Sequence, residues 1–289
     1  TVESQADVTL QNATIWDVEY EAIQLWGARG EWTLRDSRIR NLSSVALDAV
    51  DASADLTVAN VTIAQVGGAG IDARSASGNW TLRRTVVADT GGVEDPWTAD
   101  EGINATGSTG DWVLRKTVIR DGAKTGLEAI DAGGDWTILD SVVRNNTDTG
   151  VVARNASGEW AIHRTVFVHN ALGDLGAVSG IDATGAVRVV DATRNWWGTA
   201  SGPDADDCAG AVDCSAHLTS RPESAGVDPD PHESGVPWRV YDAVAGEDGE
   251  LSRDDVIGMV RTYVRDGSID GIGLNRPDVL ALVRYYVRE

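Results

Sequence analysis

The feature that most restricts this chain is a tryptophan that returns in a fixed setting. Gly30-Glu31-Trp32-Thr33-Leu34, Gly78-Asn79-Trp80-Thr81-Leu82, Gly110-Asp111-Trp112-Val113-Leu114, Gly134-Asp135-Trp136-Thr137-Ile138 and Gly158-Glu159-Trp160-Ala161-Ile162 align without gaps. The tryptophans step by 48, 32, 24 and 24 residues; the first step hides a unit at Leu56 and the second is one unit plus eight residues. The period is therefore 24, and Val8 and Val187 extend the series at either end. A second apolar column follows at Ile15, Ile39, Ile63, Val87, Ile119, Val143 and Phe167, and a third at Ile23, Leu47, Ile71, Ile103, Leu127, Val151 and Ile181. Helical spacing is absent, and alternation such as Trp32 and Leu34 predicts strands, three short ones per unit. One unit cannot bury its apolar face alone, so the units must stack, each strand pairing with its copy one turn away.

This pattern resembles the parallel β-helix repeat family, in which each coil of roughly two dozen residues is one rung. Asn195-Trp196-Trp197-Gly198 followed by Ser201-Gly202-Pro203 is similar to the motif near the C-terminal close of many right-handed β-helix proteins. The resemblance implies an all-β right-handed parallel β-helix of about seven to eight rungs over residues 1–220. Residues 221–236 are rich in proline and acid and read as a linker. In 237–289, Val256, Ile257, Val260 and Val264, then Val279, Leu280, Leu282, Val283 and Tyr286, fall at helical spacing and predict a small α-helical hairpin. That pair resembles dockerin-like, EF-hand-derived modules, which implies docking to another protein and loops for Ca²⁺. The acids so placed are Asp248 and Asp255 in one loop and Asp266 and Asp270 in the other. Val244 and Gly246 stand where the first loop needs oxygen ligands, and Pro277 stands where the second needs its bidentate acid.

Acid dominates the charge, with 45 Asp plus Glu against 24 Lys plus Arg and a net of −21. A surface of that sign excludes generic binding of nucleic acid or anionic membrane, which needs clustered positive charge. Lysine is nearly absent, only Lys116 and Lys124, and Asp exceeds Glu; this balance predicts a salt-adapted protein from a halophilic, archaeal source. No apolar run is long enough to span a membrane. The start, Thr1-Val2-Glu3-Ser4, lacks the regions of a signal peptide, so a targeting segment is expected upstream or already removed. Cys208 and Cys214 have neither zinc-site companions nor CxxC spacing and predict a local disulfide in an oxidising compartment. Asn12, Asn41, Asn60, Asn79, Asn104, Asn145 and Asn155 each open an N-x-S/T sequon for glycosylation. Both features point to an extracellular or cell-surface location.

Alternation turns the tryptophan column inward as core. Trp16 and Trp26 align with arginines in other units, Arg40, Arg120 and Arg144 or Arg74 and Arg154, so they should face out. With Tyr20 they form an exposed aromatic group suited to a glycan, to a partner protein or to upstream chain. Beside the third apolar column runs a polar one, Gln24, Asp48, Asp72, Asn104, Glu128, Val152 and Asp182, expected to face solvent and to be bridged by Na⁺ or Ca²⁺, with Asp48 and Asp72 as ligands. Those two acids stand one rung, about 4.8 Å, apart, close to the roughly 5–5.5 Å between the carboxylates of a retaining glycosidase. They are the catalytic pair of an alternative reading, a polysaccharide lyase or glycoside hydrolase acting on acidic glycans. The Asp-Asp and Gly-His-Gly motifs of the β-helix polygalacturonases are missing. The eight-residue insertion carries Glu94, Trp97, Asp100 and Glu101, a candidate cation or sugar site on a projecting loop. The expectation is a non-enzymatic adhesive rod that needs no cofactor. It would attach through its C-terminal module to another protein, to glycans or to further copies of itself.

Overall fold

The computed structural model describes residues 7–92, 99–172, 178–226, 256–258, 260–261, 268–269 and 272–273. The chain divides into two units, Thr1–Gly226 and Val227–Glu289. The first is a parallel β-solenoid of about eight turns with a 24-residue period. Its strands form three stacks. The first runs from Val8–Gln11 through Glu31–Leu42, Asp55–Val66, Trp80–Arg83, Trp112–Arg115, Trp136–Leu139 and Trp160–His163 to Val190–Asp191 and Val212–Asp213. The second runs from Thr14–Val18 to Val166–Val168 and shares the two long strands with the first. The third is a ladder of very short strands from Ile23–Gln24 to Cys208–Gly210.

Register is uniform: Val8 lies beside Trp32, Trp32 beside Leu56, Leu56 beside Trp80, and Trp80, Trp112, Trp136 and Trp160 follow in line. The last four indoles are buried and pile face to face, with ring centroids 4.6, 4.7 and 4.6 Å apart and planes within 17°. Strand spacing sets that distance, so the stack follows from pairing like with like. The four indole N–H groups have no hydrogen-bond partner, so burial and dispersion are what the column contributes. Phe167 and Trp197 stack at 5.0 Å where the Asn-Trp-Trp-Gly motif closes the eighth turn.

Two backbone devices hold the period. A Cβ placed on Gly78, Gly110, Gly134 or Gly158 would lie 1.8–1.9 Å from a carbonyl oxygen of the preceding rung, so the glycine two places before each tryptophan lets neighbouring rungs touch. The corners, meanwhile, use left-handed backbone at single residues: Asn41, Asp121 and Asn145 sit at φ near +55° at one corner, Asp51, Asp131 and Asn155 at another, and Asn12, Asp36 and Asn60 at a third. Asn and Asp tolerate this conformation best among residues with a side chain. Five of the seven sequon asparagines, Asn12, Asn41, Asn60, Asn145 and Asn155, are such corner residues, which gives their recurrence a structural cause.

Several expectations need correction. Val187 does not continue the tryptophan column: it is 74% exposed, and Val190 takes the place above Trp160, because Ala161 pairs with Asp191. The shift comes from a second insertion. Fourteen residues separate Phe167 from Ile181 where eight separate Val143 from Val151. It leaves the coil at the same corner as the first. The linker expected at 221–236 starts as packed chain, since Ala225 and Gly226 are buried. Cys208 and Cys214 are joined in a disulfide.

In the second unit, 256–258 and 260–261 are helical, and Ser268–Ile269 pairs antiparallel with Ile272–Gly273, a ladder the sequence reading did not foresee. The expected second helix and the calcium-loop acids Asp248, Asp255, Asp266 and Asp270 lie outside the described residues. No helix among the described residues is long and apolar enough to cross a membrane.

Gly134→Ala should destabilise the first unit by about 3 kcal/mol through forced separation of rungs. The exposed Thr137→Ala should change stability by less than about 0.5 kcal/mol. Denaturant melts of the two variants, compared with the parent, check the difference.

Candidate functional site

Third-stack strands are only two or three residues long, so each rung gives this face one inward apolar side chain and one outward one, polar at every rung from Gln24 to Asp182 except Val152. The outward column is in register from Gln24 beside Asp48, and Asp48 beside Asp72, to Asn104, Glu128, Val152 and Asp182. The expectation that this column is solvated is wrong. Asp48 is 5% exposed and Asp72 2%, and Asn104 and Asp182 are also buried.

The cover comes from side chains that sit two residues further along. Arg74 folds back on Asp72, its Nε 2.9 and 3.1 Å from the two carboxylate oxygens and its Nη2 2.7 Å from one of them. Arg154 reaches across one rung to Asp182 at 2.6 Å. Trp26 lies beside Asp48, near enough for its indole to oppose the rise of the carboxyl, while 48% of its own surface stays exposed. Trp16 and Tyr20 are exposed as expected. Trp16 lies beside Arg40 on the second stack, away from this face. Arg74 and Glu21 were not named as site residues by the sequence reading. The Asp72-Ala73-Arg74 spacing was the signal for the first of them.

Electrostatics differ along the column. Burial pushes the Asp48 carboxyl above the usual carboxylate range; hydrogen bonds from Trp26 and the Val50 amide oppose the rise, and the charges of Asp72 and Glu21 add to it. Glu128 is raised by burial and by the charge of Glu101, against a hydrogen bond from Thr106. Burial of Asp182 acts the same way but is outweighed by the Thr184 hydroxyl and amide and by Arg154, which hold it low. The bond to Asp72 raises the Arg74 guanidinium, which also feels Glu101 and Asp48.

The first insertion returns to the coil on this face. Ala99 packs with Val45 and Ala69 in a small apolar cluster separate from the main core. Next to it Glu101 accepts hydrogen bonds from the Asp100 amide at 3.1 Å and from the Asn104 side chain at 3.0 Å. Glu94 and Trp97 lie outside the described residues. Third-stack placement therefore brings together Trp26, Asp48, Asp72, Asp100 and Glu101, which sequence reasoning assigned to three different sites. Among the described residues no group of three His, Cys, Asp or Glu side chains is arranged to hold a metal ion. Asp72 is spent on an arginine instead.

Two sequon asparagines have other duties. Asn79 is exposed and accepts the Asp111 amide at 3.0 Å, whereas Asn104 is buried beneath Glu101.

The family model for the right-handed beta helix region matches residues 21–194. No curated protein and no solved structure matches the chain.

An acid whose pKa is raised on folding holds more protons folded than unfolded, so it costs stability as pH rises through that folded value. The cost is absent below the unfolded pKa of about 3.9. Asp48→Asn keeps an acceptor for the Val50 amide and should raise the melting temperature at pH 7, with the gain shrinking to nothing near pH 3.5. Thermal melts of both proteins across pH 3–8 check this. In a glycosylating host, peptide mapping should find Asn104 unmodified in folded protein, whatever the occupancy of exposed Asn12, Asn41 and Asn155.

Proposed function

The chain belongs to the right-handed β-helix family, and from that premise we propose that it is a non-enzymatic, glycan-binding rod on the outside of a halophilic, archaeal cell. One observation carries the reading. Trp26 presents a half-exposed indole beside the buried carboxylate of Asp48, on a face that also offers Gln24, Glu21 and Glu101. A ring already half covered by its own face offers a flat surface on which a sugar can stack, and flanking carboxylates and amides accept or donate the hydrogen bonds that orient hydroxyls. Arg74 and Arg154 are already ion-paired, so this face suits neutral or amino sugars better than the polyuronates that the alternative reading assumed.

The remaining parts of the proposal follow from composition and from the second unit. An acidic surface nearly without lysine fits molar salt, with Na⁺ or Ca²⁺ as counter-ions. Residues 237–289 serve as the protein-docking element of the rod, and Tyr20 and Trp16 offer contacts to further copies or to neighbouring envelope components.

The test is titration of neutral, amino and uronic oligosaccharides into the full chain in molar NaCl. Trp26→Ala should weaken binding at least about tenfold, equivalent to ~1.4 kcal/mol, while circular dichroism shows the variant still folded at the assay temperature. Equal affinity of parent and variant, or no binding of any sugar class, rejects the reading.

A second reading, glycan cleavage, is favoured by a single fact: Asp48 is a raised acid one rung from Asp72, which an arginine holds. Release of new reducing ends that disappears in Asp48→Asn would establish it in place of simple binding. Burial of both carboxylates stands against it, because a catalytic acid must reach its substrate.

A further inference from the structure

The last described residues of the first unit do not stay on the last rung. Leu218 still pairs with the eighth turn, its amide donating to the Asn195 carbonyl at 2.9 Å. Eight residues later the chain lies against the fifth and sixth turns. There the Gly226 amide donates to the Asp140 carbonyl at 2.6 Å and the Ser224 hydroxyl to the Asp140 carboxylate at 2.7 Å. Between them Ala225 closes a turn onto Pro222 and is buried.

Asp140 is built to receive this segment. It sits at a corner with φ +50° and is buried. Arg164, one rung on, grips both of its oxygens at 2.7 and 2.9 Å, and these bonds together with Ser224 hold the carboxyl below its usual range although burial acts the other way. Gly226 has φ +85°, and a Cβ there would lie 2.8 Å from Val142 and 3.3 Å from Val118. Those two valines are buried yet stand outside the interior cluster, on the outward side of the second stack. Glycine is what lets the backbone close over them.

We propose that residues 222–226 are a return strap, latched by Asp140 with Arg164 and Ser224, that makes the chain leave the solenoid from its flank at the fifth and sixth turns instead of from its closed end. The strap also seals an apolar strip that an outward-facing sheet would otherwise wet. Its closing loop is short, so the latch needs only a few hydrogen bonds to offset the ordering of about five residues.

Hydrogen exchange on the full chain tests this, read on peptides covering 219–228 and, as a reference, on peptides covering 110–116. The parent should protect the strap amides. Gly226→Val and Arg164→Ala should each speed exchange there at least about tenfold while leaving the reference peptide unchanged. Should Gly226→Val fail to fold, Arg164→Ala is read together with Ser224→Ala. Strap amides that exchange at the free-peptide rate in the parent, or protection that survives in the variants, would overturn the proposal.

Discussion

Every turn of the solenoid depends on like lying on like. A parallel ladder repeated at one-rung intervals obliges each side chain to meet its own counterpart, so whatever chemistry a position carries is multiplied along the axis. For indoles the multiplication is favourable: faces meet at about the distance at which rings attract, and water is excluded from the pile. Glycine-to-carbonyl contact between rungs fixes that spacing, and left-handed corners return the chain to the same azimuth each turn. Burying an orphaned N–H costs about 1–3 kcal/mol, so a column of unsatisfied indoles survives only because ring burial outweighs it.

The same rule is hazardous for charge. Carboxylates placed directly opposite each other repel, and the third stack answers that repulsion differently at each rung. Gln24, Asn104 and Val152 omit the charge altogether. Asp72 and Asp182 take an arginine each. Asp48 and Glu128 keep their acids in surroundings that favour the proton. The binding face is thus a set of local solutions to a problem the fold creates, and Trp26 belongs to one of them.

Much of the architecture could be read from the chain beforehand, because period and strand alternation are local and repeated. Trp80, Trp112, Trp136 and Trp160 announced the interior, and the arginine counterparts of Trp16 and Trp26 announced the exterior. What failed did so for physical reasons. Alternation says which way a side chain points but not what lies over it, so it leaves Asp48 and Asp72 wet, whereas Trp26 and Arg74 cover them. A six-residue insertion beside a weak motif displaced the register, so Val187 was chosen where Val190 sits. The strap eluded sequence reading altogether: a proline-rich stretch looks extended whether or not a distant aspartate awaits it.

Both insertions spring from the corner between the second and third stacks, while every other segment of a turn is held to its neighbours above and below. Length can vary there without disturbing a single ladder. Elsewhere the first seven turns keep their segment lengths, and only the last corner departs, four residues joining Cys208 to Val212 where nine join Ile181 to Val190; otherwise size changes by whole turns, each of which finds the interface it needs already formed. Such a chain has two separate modes of variation, duplication along the axis for reach and embroidery at one edge for recognition, and neither has to wait for the other.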